Sequence, residues 1–125
     1  MTLGYLEHVA LRVRDLSPHL ACFAEVCGMG LREEQHIGGL RQVWLHGGLQ
    51  LIEDPSFVGP EGRFAHLGIF VDDLDAALAA AKHHRVTVLA KGRNWLLLPD
   101  RLEVELDQAQ GNAVQSARAI DARNG

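Results

Sequence analysis

The sequence lacks the long apolar runs and basic clusters that would assign it to a membrane or to nucleic acid. No segment of its 125 residues approaches the roughly 18 consecutive apolar residues of a transmembrane helix. The formal net charge is -4, and the Lys and Arg residues are scattered along the chain, unlike a surface that binds phosphate backbones. Residues 1–5 carry neither the basic segment nor the apolar region of a signal peptide. We therefore predict a soluble cytoplasmic protein without membrane or nucleic-acid partners.

Cysteine is also scarce, and its spacing argues against a disulfide or a cysteine metal site. Cys22 and Cys27 are the only two cysteines, and both fall in one predicted helix. Their separation points the two side chains to different faces of that helix. It matches neither a zinc-binding spacing nor a redox pair. We expect both to be small core or near-surface residues.

Length and composition favour a single globular domain. Apolar residues make up 47% of the chain and charged residues 22%, which is sufficient for one core, whereas two independent domains would need a longer chain. We predict one domain over residues 1–108. The tail at 109–125 is polar and alanine-rich, and is expected to form either a weak amphipathic helix or no fixed structure.

A segment near the N-terminus is repeated in the middle of the chain. Residues 6–20 read LEHVALRVRDLSPHL and residues 64–78 read FAHLGIFVDDLDAAL. A shift of 58 residues aligns the two without a gap and brings His8 onto His66. Because a solenoid needs at least three copies, two copies indicate a pair of supersecondary units that pack together.

The first copy, about residues 5–53, is predicted to be a strand, a helix and three further strands. Apolar alternation predicts the first strand up to Val13. The helix is expected to begin with Ser17 as N-cap and Pro18 at its first position, and to end near Cys27 with Gly28. Glycine pairs typical of hairpin turns separate the later strands. These strands are predicted at 31–37, 41–46 and 49–53.

The second copy, about residues 64–107, repeats this order. Its first strand is predicted at 64–71, and its helix is expected to be capped by Asp75 and to end near His84. Three strands follow, near 86–91, 94–98 and 102–107. A linker at 54–63 joins the copies, and its proline and glycine residues favour a surface connection.

Strand alternation predicts a metal site on the sheet face turned away from the helices. Because each strand buries its aliphatic face against a helix, the alternate side chains point the other way. His8 and His66 occupy the same register of the two copies, and Glu105 is on the corresponding face of the last strand. Two imidazole nitrogens and one carboxylate oxygen suit a borderline divalent cation and leave positions for water or substrate. We predict that these three residues bind a divalent metal such as Ni, Zn, Mn or Fe.

Other side chains on the same face are candidates for substrate contact. Gln50 is predicted to face the cavity. Its role there can be that of a metal ligand, a substrate contact or a packing residue. Glu103 is expected to be an exposed charge or a charge at the cavity edge. The predicted substrate-binding residues are Arg12, Trp44, His46, Phe70 and Trp95. Four histidines fall outside the cavity, namely His19, His36, His83 and His84, and the last two are expected to complement the partial negative charge of a helix C-terminus.

The paired segments LEHVALRVRDL and FAHLGIFVDDL resemble the vicinal oxygen chelate superfamily over about residues 5–108. This superfamily includes glyoxalase I, extradiol dioxygenases, fosfomycin-resistance thiol transferases, methylmalonyl-CoA epimerase and bleomycin-binding proteins. The ending LPDRLEVEL also resembles the family's DPDGxxxEL, although Leu98 and Arg101 replace its first aspartate and its glycine. The resemblance implies an α+β fold in which two βαβββ modules form a cup-shaped, partly open mixed β-sheet barrel with helices outside.

The resemblance also implies which residues hold the metal. Metal ligands in the superfamily come from the first and last strand of each module, which corresponds here to His8, Gln50, His66 and Glu105. Glyoxalase I usually has an acidic ligand where this chain has Gln50. That difference argues against an ordinary glyoxalase I. Superfamily members similar to this one are commonly dimers, so we expect a homodimer.

The expected function is that of a glyoxalase-like metalloenzyme with a small-molecule substrate. A lyase or isomerase of this kind chelates neighbouring substrate oxygens and stabilises an enediolate-type oxyanion, with Glu105 as the base. One alternative is an Fe(II) dioxygenase with His46 as acid–base group. A second is a fosfomycin-resistance-type thiol transferase, with Arg12, Lys91 and Arg93 providing positive charge. A third is a metal-free small-molecule-binding protein of the bleomycin-resistance kind.

Overall fold

The order of helices and strands follows the predicted duplication. The computed structural model describes residues 2–27, 29–59 and 62–120. The order β-α-β-β-β occurs twice, which confirms the α+β class with two βαβββ modules. The elements are β1 (Gly4–Val13), α1 (Leu16–Cys27), β2 (Leu31–Ile37), β3 (Leu40–Leu45), β4 (Leu49–Glu53), β5 (Phe64–Val71), α2 (Leu74–Ala81), β6 (Thr87–Val88), β7 (Trp95–Leu97), a 3-10 turn (Pro99–Arg101), β8 (Glu103–Gln108) and α3 (Ala113–Arg118).

The chain divides into two compact units, and each contains a mixed sheet. The first unit is His8–His66, and the second comprises the residues before His8 and after His66. In the first unit the strand order is β2-β3-β4-β1, with β1 parallel to β4 and the other pairs antiparallel. In the second unit the order is β5-β8-β7-β6, with β5 parallel to β8. A single domain over residues 1–108 stays a prediction.

The core of the first unit lies between α1 and its sheet. Leu20 and Phe23 of α1 pack against a cluster of fully buried residues, which agrees with the apolar stripe expected for this helix. Burying each such side chain contributes about 1.5–3 kcal/mol. The buried cluster comprises Val13, Leu16, Val43, Leu45 and Leu51.

The helix caps predicted from sequence were wrong by two residues in both modules. Helix α1 begins at Leu16, so Ser17 and Pro18 belong to its first turn. The Asp15 carboxylate accepts a hydrogen bond from the Ser17 backbone N–H at 3.2 Å, and Glu53 accepts one from Leu16 N–H at 2.9 Å. Carboxylates therefore satisfy the first amide donors of α1, as is usual at helix starts. The predicted final residue of this segment, Gly28, lies outside the described residues.

Helix α2 is capped in the equivalent way. Asp73 is its N-cap and accepts from the Ala76 backbone N–H at 3.0 Å, so the prediction of Asp75 was wrong. The helix ends at Ala81, earlier than the predicted His84. The repeat itself aligns Asp73 with Asp15, and each of these aspartates directly precedes the first residue of its helix.

Strands β6 and β7 of the second unit are shorter than predicted. Strand β6 comprises Thr87–Val88 and β7 comprises Trp95–Leu97. Between them the backbone forms a turn, in which Gly92 N–H donates to Leu89 O at 3.3 Å and Trp95 N–H donates to Gly92 O at 3.1 Å. Local turn bonds thus replace ladder bonds over much of the predicted strand near 86–91.

Helix α3 follows the last strand. Val114 is 1% exposed, so α3 buries this side chain, whereas Ile120, beyond the end of the helix, is 76% exposed. Arg118 donates to the Gly4 carbonyl at 3.3 Å. Residues 121–125 of the tail lie outside the described residues. Within 2–27, 29–59 and 62–120, no helix has the length and apolar character needed to cross a membrane.

Arg101 occupies a backbone conformation that favours glycine. Its φ is 64°, and this conformation costs a residue with a Cβ about 1–2 kcal/mol. Glycine avoids that cost, but its greater freedom in the unfolded chain lowers the stability by about 0.4–1 kcal/mol. We therefore expect Arg101→Gly to raise the free energy of unfolding by up to about 1 kcal/mol. Urea unfolding of this variant checks the prediction, and Arg101→Ala, which keeps the Cβ, should remain within about 0.5 kcal/mol of the parent. A destabilised glycine variant would contradict the argument.

Asp72 makes the stability of the second unit dependent on pH. Its carboxylate accepts hydrogen bonds from Thr2 Oγ1 and from the Leu3 backbone N–H, both at 2.7 Å. These bonds hold the pKa of Asp72 below its ordinary value. A lowered pKa stabilises the folded state above the unfolded-state pKa of about 4, and this contribution is lost as the pH falls through the folded-state value.

We expect Asp72→Asn to lower the stability of the protein by an amount that depends on pH. Its melting temperature should be lower than that of the parent near neutral pH, and the difference should shrink below about pH 4, where the parent carboxylate also becomes protonated. Thermal melts between about pH 3 and 7 measure this difference. A difference that stays constant across this range would show that the Asp72 charge contributes nothing.

Candidate functional site

The two repeated histidines lie side by side in the first unit. His8 Nε2 and His66 Nε2 are 2.8 Å apart, and the rings meet edge to face with centroids separated by 4.9 Å. Both side chains are buried, with exposed fractions of 4% and 7%. The predicted pairing of the duplicated histidines is therefore present in the structure.

The spacing of these two nitrogens suits a shared cation. Two neutral imidazoles at hydrogen-bonding distance need one Nε2 to donate and the other to accept. Nitrogens that bind one divalent ion at about 2.0–2.1 Å each are about 3 Å apart when they are neighbours in octahedral geometry. The observed 2.8 Å is close to that separation. The donor pair therefore fits a divalent metal.

Gln50 is buried next to another amide in the same unit. It is 4% exposed, and its Nε2 donates to Gln42 Oε1 at 2.7 Å. This bond directs the amide nitrogen of Gln50 toward Gln42, so its Oε1 oxygen is the atom suited to a cation or substrate hydroxyl. Gln42 was missed from sequence, although alternation along β3 places it on the same face as Trp44.

Strand register shows which other side chains share the Gln50 face of the first sheet. Paired residues on neighbouring strands point to the same side. Gln50 pairs with Ala10 and with Trp44, and Trp44 pairs with Glu33. Glu33 is therefore a carboxylate on this face that sequence analysis missed. A register shift in β2 between Leu31 and Glu33 hid it, because it breaks the alternation counted from the strand start.

Arg12 lies on the same face, one row further along β1. It pairs with Ile52, and its Nε is 3.8 Å from Asp54 Oδ2. A hydrogen bond from Ser56 and, to a smaller extent, the Arg12 charge lower the pKa of Asp54. The positive charge of Arg12 is thus partly compensated, and its contact with substrate stays a prediction.

His46 does not lie on a strand. Strand β3 ends at Leu45, and His46 is exposed in the following turn, where its backbone N–H donates to Gly30 O at 3.0 Å. The prediction of an inward strand position for His46 was wrong. Gly47 and Gly48 have φ values of 105° and 102°, so the hairpin turn begins one residue earlier than the sequence pattern indicated.

In the second unit, Glu105 is partly buried on the central strand β8. It pairs with Gly68 of β5 and with Trp95 of β7, so Glu105 and Trp95 share one face of this sheet. Phe70, two residues beyond Gly68, pairs with Asp107 on the same face. The predicted alternation of β5 and β8 is therefore correct within this unit.

Lys91 and Arg93, two of the predicted sources of positive charge, both form ion pairs. Lys91 forms an ion pair with Glu103, and its Nζ lies 4.4 Å from the centroid of the Trp95 ring. Glu103 thus has a cationic partner, and its place at a cavity edge stays a prediction. Arg93 pairs with Asp75 at 3.0 Å. These pairs weaken the case for Lys91 and Arg93 as a binding site for a phosphonate.

Two βαβββ modules, with a histidine at the same position of each first strand, define a protein of the glyoxalase type. The chain belongs to the Glyoxalase/Bleomycin resistance protein/Dioxygenase superfamily, whose family model matches residues 5–94. This confirms the resemblance found in the sequence. Among proteins with curated descriptions, none matches this sequence.

Solved structures with the same fold include epimerases and a dioxygenase. Methylmalonyl-CoA epimerase from Mycobacterium tuberculosis superposes with a TM-score of 0.64 at 21% identity, over 88% of this chain and 91% of that one. A variant of the Streptomyces coelicolor methylmalonyl-CoA epimerase in complex with 2-nitronate-propionyl-CoA gives 0.64 at 21% identity, over 87% and 99%. The 2,2',3-trihydroxybiphenyl 1,2-dioxygenase from Sphingomonas wittichii gives 0.63 at 22% identity, over 85% of this chain and 43% of that one. These similarities establish the fold.

Proposed function

We propose that the protein is a divalent-metal enzyme that moves a proton next to a substrate carbonyl through an enediolate-type oxyanion. His8, His66 and Glu105 are the proposed metal ligands, with Gln50 as a fourth ligand or a substrate contact. The observation that carries this proposal is the buried His8–His66 pair, whose Nε2 atoms are 2.8 Å apart. The metal would supply Lewis-acid stabilisation of negative charge on the substrate oxygens.

Strand alternation supports Glu105 as the carboxylate ligand. His66 and Gly68 are two residues apart on β5, so their side-chain positions point to the same face of that strand. Glu105 pairs with Gly68 and therefore shares this face. A carboxylate that belongs to the metal site can also accept the substrate proton, which is the role proposed for Glu105.

The remaining groups on the face of the first sheet would orient the substrate. The Gln42–Gln50 hydrogen bond of 2.7 Å holds the Gln50 amide in one orientation. Trp44 follows in the same row and offers an apolar surface, and Glu33 comes next. A reaction that inverts a carbon centre needs a second proton-transfer group, because the proton returns to the opposite side of the planar intermediate. Glu33 is the proposed second group.

Methylmalonyl-CoA and the methylglyoxal–glutathione adduct are the two substrates to test first. Both have an exchangeable hydrogen next to a carbonyl group, and one structural neighbour was solved with methylmalonyl-CoA bound. Incubation in deuterated water with metal-loaded protein should replace that hydrogen by deuterium, as measured by proton NMR. Exchange should stop after metal removal and return on metal addition. If the metal-loaded protein exchanges neither compound, the choice of substrate class is wrong.

A dioxygenase is the weaker candidate for this chain. The acid–base histidine expected for it was His46, and that residue lies in an exposed turn. Oxygen consumption with a catechol is the corresponding assay, and the proposal expects none. Metal-free ligand binding of the bleomycin-resistance kind would require that the His8–His66 pair bind no cation.

We also propose that the protein is a cytoplasmic homodimer with a small-molecule substrate. The assembly follows from its membership of a superfamily in which similar proteins are commonly dimers. Sedimentation equilibrium measures the mass in solution and should give twice the chain mass of 13.7 kDa. A monomeric mass at micromolar concentration would contradict this part of the proposal.

A further inference from the structure

A large apolar groove separates helix α2 from the sheet in the second unit. Its volume is about 610 Å³, within the range of small-molecule sites. A smaller cavity of about 330 Å³ shares Ala81, Val86 and Leu96 with it. Packed protein interiors contain few voids larger than a water molecule. The apolar lining of the groove includes Ala77, Ala81, Leu96, Leu98, Val104 and Leu106.

The duplication shows which side chain differs between the two modules at the position of this groove. A shift of 58 residues aligns Leu20 with Leu78 and Phe23 with Ala81. Phe23 packs on the buried core of the first unit, whereas Ala81 lines the groove of the second. Helix α2 accordingly contains no buried residue. The loss of one aromatic ring therefore leaves open the space that a side chain fills in the other copy.

The rim of the groove carries positive charge. His84 and Arg85 line it, and Lys82 and His83 precede them in the sequence. Lys82 and Arg85 together carry more positive charge than is needed to balance the partial charge of about -0.5 at a helix C-terminus. The segment KHHR therefore leaves excess positive charge at the rim. Within the described part of the chain, Arg85 has no carboxylate partner. An apolar groove with a cationic rim is complementary to an amphiphilic anion.

We propose that this groove binds a small apolar molecule with a carboxylate group, such as a medium-chain fatty acid. The hydrocarbon would lie against Leu96, Leu98 and Val104, and the carboxylate would lie at Arg85 and His84. Burial of each methylene contributes about 0.8 kcal/mol, so affinity should rise with chain length until the groove is filled. Val104 and Leu106 line the groove and alternate with Glu105 along β8, so the groove is on the opposite face of that strand. The proposal does not depend on the metal ligands.

Calorimetric titration of the full-length protein with octanoate tests the proposal, with 1-octanol as the neutral probe of equal length. We expect one octanoate per chain and at least threefold weaker binding of 1-octanol. Arg85→Gln should weaken octanoate binding at least threefold and leave 1-octanol binding unchanged. Ala81→Phe, which restores the ring of the first module, should weaken both at least tenfold.

Matched controls separate the groove from general surface binding. Ala76→Phe adds the same ring on the exposed side of α2 and should bind octanoate like the parent. Removal of metal with a chelator should also leave octanoate binding unchanged. The melting temperature of Ala81→Phe reports whether it folds, and Ala81→Leu replaces it if it does not.

Three results would overturn the proposal. The first is equal octanoate binding by the parent and the folded cavity-filling variant. The second is binding of many octanoate molecules per chain, which indicates non-specific adsorption. The third is the absence of octanoate binding by the parent protein. If the Ala81→Phe variant is then also monomeric while the parent is a dimer, the groove would be assigned to a second copy of the chain.

Discussion

Replacing His8 or His66 by alanine is expected to lower the affinity for a divalent metal by at least about 100-fold. Each substitution removes one of two buried nitrogens that lie 2.8 Å apart, and no backbone group can take its place. Competition with a chromophoric chelator measures the affinity directly. Metal-dependent hydrogen exchange in the proposed substrates should be lost in parallel.

Two comparisons make this prediction specific. His36→Ala removes an exposed imidazole on β2, where His36 pairs with Arg41, and should leave the metal affinity unchanged. Glu105→Gln keeps the shape of the side chain but removes its charge, and should lower the affinity because a neutral amide is a weaker ligand than a carboxylate. Equal metal affinity in the parent, His8→Ala and His66→Ala would show that the pair is a structural hydrogen bond.

The second large effect is expected in the core of the first unit. Leu51 is 1% exposed and belongs to the cluster on which α1 packs. Leu51→Ala should lower the free energy of unfolding by about 2–5 kcal/mol, since it removes buried methyl groups and leaves a cavity. Urea unfolding followed by circular dichroism measures the change.

Leu31→Ala is the matched control for this prediction. Leu31 is 53% exposed on β2, so the same substitution there removes little buried surface and should cost less than about 1 kcal/mol. If Leu51→Ala were no more destabilising than Leu31→Ala, the assignment of the core to the contact between α1 and its sheet would be wrong.

The fold was predictable because the chain contains an internal repeat whose two copies can be compared. A gapless repeat beginning near each histidine fixed the order of strands and helices in both modules. Period-two alternation then placed His8 on the face away from the helix, and its pairing with His66 followed from the common register. These inferences needed only sequence spacing, because strand geometry converts spacing directly into direction.

The errors have local physical causes that spacing does not reveal. Both helix caps were placed two residues late, because Ser17 and Asp75 have good capping side chains while Asp15 and Asp73 were better placed in the chain. His46 was assigned to a strand because the turn at Gly47 starts one residue early. At each helix start several residues had suitable capping side chains, and the backbone geometry determined which one is the cap. At His46 the backbone geometry determined where the strand ends.

Other features depend on contacts between distant residues. The Gln42–Gln50 hydrogen bond and the row that includes Glu33 follow from strand pairing, and the register shift in β2 removes the alternation that would have revealed Glu33. The α2 groove depends on a missing side chain at Ala81. Its signal was present in the repeat, as an aromatic residue aligned with alanine, but a void is apparent only once the helix and sheet are in place.

Membership of the superfamily does not determine the reaction. Structures of similar fold include epimerases and a dioxygenase, so the choice among reactions rests on the site. The first unit provides two buried imidazoles, a buried amide at Gln50 and an exposed carboxylate at Glu33, and the proposed site adds the carboxylate of Glu105. Such a set favours proton transfer beside a stabilised oxyanion over reactions that need a further histidine.

Elemental analysis of the protein, purified without a metal-affinity tag, tests the central claim most directly. The account predicts close to one divalent metal ion per chain, either as isolated or after dialysis against Ni, Zn, Mn or Fe(II) salts and removal of excess ion. A correctly folded protein that retains none of these metals would contradict it.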